Sequence, residues 1–195
     1  TLLTYNNSSP IKIICENFPD YEWEEWKFES GVGITGFWGK KSNCEKWLNS
    51  LCKKENFNDY NDMYKITREV IRSNKGGDLA DKYGHIYYLL SFVYPEYKWL
   101  PWKFKSGVPN NFWKKTNGDL NWDNIKFWFY EISIENNIKN PEDWYAIKTL
   151  DIKTGMLFEL IKFKDILKHF HPDFDWLPWG FIQPEDGLWD NKEII

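Results

Sequence analysis

Apolar residues fall at helical spacing in a series of short segments, each followed by a proline- or glycine-bearing stretch. Ile11, Ile13, Ile14 and Cys15 make the first segment, with Ser9 as a cap and Pro10 at the first helical position. Trp47, Leu48, Leu51 and Cys52 mark a helix over 42–52, for which Ser42 and Glu45 form a capping box. Residues 122–132 read as a longer helix in the equivalent place. Short helices are predicted at 61–67 and 141–148, after Asp59 and Asn140 as caps, and second short helices at 67–72 and 149–152. The last helices are 86–93 and 158–167, each stopped by the next proline. The chain therefore reads as all-α, with little or no sheet.

Between these helices one motif occurs three times: aromatic or His, Pro, acid, aromatic, any residue, Trp, two residues, Trp, any residue, Phe. The first copy contains Pro19, Trp23, Trp26 and Phe28, the second Pro95, Trp99, Trp102 and Phe104, the third Pro172, Trp176, Trp179 and Phe181. The prolines step by 76 and 77 residues. Each copy runs into a Gly/Pro loop ending in a further tryptophan, Trp38, Trp113 or Trp189, with steps of 75 and 76. A fixed period of this size marks tandem repeats of about 76 residues, short helices joined by Trp/Pro/Gly-rich loops. The expected boundaries are 1–37, the C-terminal part of a truncated first repeat; 38–112, a complete second repeat; and 113–195, a third. Aromatics that recur with the period suit packing of each unit on its neighbour. The acid after each proline (Asp20, Glu96, Asp173) suits a turn cap or an acceptor for an indole N–H.

These residues resemble an uncharacterised Trp-rich helical repeat of proteins from large DNA viruses, algae, fungi and oomycetes. Its pattern is Asp-Trp-Tyr, a short helix, a double glycine, a Tyr-Gly-Ser helix, then Tyr-Pro-Glu-x-x-Trp-x-Pro-Trp-Lys-Phe and Gly-Phe-Trp. The matching residues are Asp143-Trp144-Tyr145, Gly76-Gly77-Asp78-Leu79, Lys82-Tyr83-Gly84-His85, the three motif copies and Gly36-Phe37-Trp38. Thr4 to Pro10 fits the Tyr-Gly-Ser segment of a preceding unit. The third unit departs from the pattern in lacking the double glycine. The resemblance implies a repeat module of viral or similar origin and carries no activity with it.

Composition sharpens this picture. Of 195 residues 13 are Trp, so a few clustered indoles can support each unit. Cys15, Cys44 and Cys52 have no metal-binding spacing and are odd in number, which suits a reducing, intracellular compartment, cytoplasm or nucleus, or the virus-infected cell if the chain is viral. No apolar run is long enough to span a membrane, and Thr1-Leu2-Leu3-Thr4 does not open a signal peptide. The absence of an initiator Met suits a processed product or a fragment of a longer array. Net charge is −4, divided as −4 over 1–37, +5 over 38–112 and −5 over 113–195.

Candidate chemistry is sparse. His169, His171 and Asp173 suggest a metal site by composition, but two ligands at a helix end need a third, and His171 occupies the aromatic slot of Phe18 and Tyr94. Pro95-Glu96-Tyr97-Lys98 imitates a nuclease signature, yet Glu22 and Asp175 replace its lysine in the other copies. Gly76-Gly77 lacks the Gly-Lys-Ser/Thr ending of a phosphate loop and reads as a helix end and turn. The basic middle is the most informative stretch: Lys65, Arg68, Arg72, Lys75 and Lys82, with the arginines on one helical face before a glycine turn and another helix, the outline of a nucleic-acid reader. The expected function is a non-enzymatic helical repeat module binding a macromolecular partner, first of all a protein, as adaptor or scaffold. The alternative is DNA or RNA binding through 65–82, and a metal-dependent hydrolase is the remote third reading. No cofactor, metal or membrane is expected.

Overall fold

The computed structural model describes residues 10–28, 36–148, 152, 154, 156–177 and 180–181. Among them the regular structure is helical, with no strand and a single isolated antiparallel bridge, Lys114 to Leu120. The chain divides into two compact units, Thr1–Pro109 and Asn110–Ile195.

In the first unit α1 (Pro10–Asn17) leads into the first motif copy, with Pro10 at its start as expected. Next comes α2 (Lys41–Glu55), whose Cys44, Trp47, Leu48 and Leu51 are buried on one stripe. The capping box at Ser42 does not form. Lys40 is the N-cap and makes no side-chain cap, because the helix starts directly from the 3₁₀ turn Phe37–Gly39, which places Ser42 already inside the first turn. Asn43 does the anchoring instead, donating from Nδ2 to the Phe37 carbonyl at 2.9 Å. Then follow α3 (Tyr60–Met63), whose cap Asp59 accepts from the N–H groups of Asn61 and Asp62, and α4 (Arg68–Ser73), capped by Thr67. The unit closes with α5 (Gly77–Tyr83) and α6 (Ile86–Val93). Leu79 and Ala80 of α5 and Leu89, Leu90 and Val93 of α6 share one core with the α2 stripe.

In the second unit α7 (Trp122–Glu135) buries Ile125, Trp128, Phe129 and Ile132. Asn124 donates to the Phe112 carbonyl at 2.6 Å, as Asn43 does to that of Phe37. The 141–148 stretch is a 3₁₀ turn over Pro141–Ala146 rather than an α-helix, and Asp143 accepts from the N–H groups of Lys139 and Asn140. The expected helix over 149–152 falls mostly outside the described residues. The expected helix over 158–167 is broken into α8 (Leu157–Leu160) and α9 (Phe163–Phe170), with Ile161 extended between them. On one unbroken helix Phe158 and Phe163 would point about 140° apart. The break lets their rings meet at 5.5 Å, Phe158 against Trp128 and Phe163 against Trp144.

The motif copies share one local construction. Trp23 Nε1 donates to the Phe18 carbonyl (3.0 Å), Trp99 Nε1 to that of Tyr94 (3.2 Å) and Trp176 Nε1 to that of His171 (3.4 Å). The same carbonyls accept the turn N–H groups of Tyr21, Tyr97 and Phe174. The backbone oxygen before each proline, not the acid after it, is thus the indole's acceptor, and Asp20, Glu96 and Asp173 are exposed. Trp26, Trp38, Trp99, Trp102, Phe104, Trp113 and Trp176 are buried, while Trp23 and Phe28 keep partial exposure. Trp179 and Trp189 lie outside the described residues. In the first unit Tyr64 closes the motif: its hydroxyl accepts from the Leu100 N–H at 3.0 Å, its carbonyl from the Lys105 N–H at 2.8 Å. Tyr145 accepts from the Leu177 N–H at 2.7 Å in the second unit.

Candidate functional site

Lys75 sits at the turn from α4 to α5, and the turn decides where its charge goes. The Gly76 N–H bonds the Ile71 carbonyl at 2.9 Å and the Lys75 N–H that of Arg72 at 3.1 Å, the paired bonds of a Schellman end. The left-handed position usually given to glycine is held by Lys75, with φ +62°. Gly76 is needed for closeness instead. A Cβ there would lie 2.7 Å from Ile71 Cγ2, 2.9 Å from the Ile71 carbonyl oxygen and 2.9 Å from Trp47 Cζ2. Trp47 in turn donates from Nε1 to the Asn74 carbonyl at 3.1 Å, so the turn is fixed to α2.

That attachment makes one wall of a groove of about 1000 Å³. α2 contributes Lys46, Asn49, Ser50, Lys53 and Lys54, the first motif copy contributes Glu22, Trp23, Glu24, Trp26 and Lys27, and the α4–α5 turn contributes Ser73, Asn74 and Lys75. Trp26 and Trp47 are buried beneath it and Trp23 is only partly covered. Glu24 holds the two sides together, accepting from Lys27 and from the Ser50 hydroxyl. Burial acts to raise the Glu24 carboxyl, but those two hydrogen bonds and the Lys27 and Lys53 charges outweigh it, and the group sits below its ordinary range. Lys54 donates to the neutral Asn74 side chain at 2.7 Å. Among the described residues no carboxylate lies within ion-pair distance of Lys46, Lys53 or Lys75.

The other residues of the basic stretch lie apart from Lys75. Arg68 and Arg72 converge on one oxygen of Asp81, at 2.6 and 2.7 Å, with all three side chains about half exposed. Lys65 pairs with Asp62 at 2.6 Å, and Lys82 lies 5.9 Å from the Tyr83 ring centre. Helix, turn and helix are present over 68–83, but the four cations there, and Lys65 before them, face different neighbours. Sequence reasoning missed Asp81 as the shared acceptor and missed Lys46 and Lys53, which recur seven residues apart on α2 and so share a face.

His85 caps α6, its Nδ1 accepting from the Tyr87 N–H at 3.1 Å, which leaves Nε2 to donate to Ser106 Oγ at 3.0 Å. Burial pushes its pKa down. His169 stacks on Trp122 at 3.6 Å, and His171 lies between Phe129 and Trp176, its pKa also lowered by burial. Among the described residues no three metal-ligating side chains gather, and no described helix is long and apolar enough to cross a membrane.

Compared with protein-family models, curated proteins and solved structures, the chain matches none of them.

Proposed function

We propose that the chain is a non-enzymatic tandem helical repeat module, with a repeat of about 76 residues, that binds a protein partner as an adaptor. The repeat reading is supported by the identical indole-to-carbonyl bonds of the three motif copies and by the matching asparagine anchors of α2 and α7.

One observation carries the binding reading. Both units leave large apolar side chains on the surface one helical turn apart: Tyr88 and Phe92 on α6, 47% and 40% exposed, and Tyr130 and Ile134 on α7, 60% and 55% exposed. Apolar positions at this spacing suit the i, i+4 anchors of an amphipathic helix laid along them. Each patch has a lysine beside it. Lys126 continues the Tyr130–Ile134 stripe one turn back, and Lys82 is next to Tyr83, whose ring meets Phe92 at 5.8 Å. The partner chemistry that complements both is a helix with an apolar stripe and acidic flanks.

A photo-crosslinking residue at position 88 or 130 of the full chain identifies the partner in the native host. Calorimetry with that protein then compares wild type with Tyr88→Asp and Tyr130→Asp. At least tenfold weaker binding by one of them is expected. Unchanged affinity in both overturns the reading, and so does a dimer of the chain that both substitutions dissociate, which would make the occupant a second copy.

A further inference from the structure

We infer that the groove between α2 and the first motif copy is a binding site for single-stranded nucleic acid. Its shape comes first: a channel of about 1000 Å³, open to solvent along α2 and floored by Trp26 and Trp47. Its charge comes second. Lys46 and Lys53 stand about 10 Å apart along α2, with Lys54 beside them and Lys75 across the channel. Their preference for the last turn of a helix accounts for Lys53 and Lys54, but not for Lys46 in mid-helix or for Lys75, held in a left-handed turn on another element. Of the two carboxylates in the channel, Glu24 is already bound by Lys27 and Ser50. The balance over the lining residues is five lysines against two glutamates.

The aromatic feature distinguishes nucleic acid from other anions. Trp23 lines the channel and keeps part of its surface open. Cations that follow a backbone, with an indole for a base to stack on, are the elements of sequence-tolerant single-strand binding. Asn49 supplies a neutral hydrogen-bonding group on α2, while Ser73 and Asn74 are held by the Val70 carbonyl and by Lys54. A duplex would hide its base faces from Trp23 and is disfavoured on that ground. This inference is independent of the protein-binding reading, which concerns α6 and α7.

The test is fluorescence anisotropy of the full chain with a labelled oligothymidine of about ten nucleotides, repeated with the RNA equivalent, a duplex of equal length and competing polyglutamate. Binding that weakens with salt is expected, single strand over duplex. Lys46→Gln/Lys53→Gln, both exposed positions, should reduce the log–log salt slope by about 1.4. Trp23→Ala should weaken binding roughly tenfold with little change in that slope, circular dichroism confirming that each variant is folded. The inference is overturned if neither single strand binds at low salt, if the duplex binds equally well, or if polyglutamate competes as effectively as unlabelled oligothymidine. It is overturned equally if the lysine pair leaves affinity unchanged while Arg68→Ala/Arg72→Ala abolishes it.

Discussion

The α4–α5 turn makes three neighbouring positions respond in different senses to small substitutions. At Gly76 a methyl group meets the Ile71 carbonyl oxygen and Trp47 Cζ2, both at 2.9 Å, and Ile71 Cγ2 at 2.7 Å. The carbonyl is backbone and Trp47 is fully buried, so neither yields easily. Gly76→Ala should therefore cost about 1–3 kcal/mol, the usual range for overpacking. At Gly77 the same methyl meets nothing within 4 Å, and the residue is the first of α5. Gly77→Ala should stabilise by about 0.4–1 kcal/mol through the unfolded chain. At Lys75, φ is +62°, a conformation costly for any residue with a Cβ, and Lys75→Gly should stabilise by about 1 kcal/mol. Urea unfolding followed by far-ultraviolet circular dichroism gives the three midpoints, with slopes compared so that a change in the unfolded state is not mistaken for stability. Gly76→Ala no less stable than wild type, or Gly77→Ala less stable than Gly76→Ala, would refute the assignment of closeness to Gly76 and openness to Gly77. Lys75→Gly should at the same time bind oligothymidine more weakly than wild type, separating stability from binding at one position.

Other expectations follow from single hydrogen bonds and charges. Tyr64→Phe leaves the buried Leu100 N–H without its acceptor and should cost about 1–3 kcal/mol, whereas Tyr145→Phe, with Leu177 exposed to water, should cost less by the same urea assay. Burial lowers the pKa of His85 below its ordinary 6.5. The unfolded chain then binds more protons than the folded one just below that value, so this contribution to stability is complete above pH 6.5 and lost as pH falls. His85→Asn keeps an N-cap acceptor and should flatten the part of the fall in urea midpoint that lies just below pH 6.5, with the lowered His171 contributing in the same range and the lowered carboxyl of Glu24 at more acidic pH. Asp81→Ala frees Arg68 and Arg72 but should change stability by less than about 1 kcal/mol, since all three side chains are half exposed.

Local signals in the sequence were enough for the helix start that Asp59 caps and for the start at Pro10, because a cap acts within three residues, whereas the helix after Asp59 ends at Met63 rather than 67, and Thr67, read as helical, is the cap of α4. Repetition did more than composition for the tryptophans. Three copies of one spacing pointed to packing, and Trp26, Trp99, Trp102 and Trp176 are buried. The capping box at Ser42 failed because the 3₁₀ turn before it moves the helix start, which no property of Ser42 or Glu45 reveals. The break at Ile161 depends on Trp128 and Trp144, more than ten residues upstream. Arg68 and Arg72 looked like free cations on a helix face because Asp81 is 13 and 9 residues away and on another helix. The groove was hidden for the same reason on a larger scale, since it exists only where Glu24 reaches Ser50 across 26 residues.

The shared carbonyl of the motif bears on how the chain folds. In each copy the indole and turn hydrogen bonds reach back no more than five residues, so the motif can close on its own at small entropic cost. The tyrosine that seals it comes from 36 residues away in the first unit and 32 in the second. Loop-closure entropy therefore favours a motif that closes first from local contacts, with the tyrosine of the second and third copies expected to dock later across the helices in between. Length changes within that intervening chain alter how long the tyrosine takes to arrive, while the motif awaiting it stays the same.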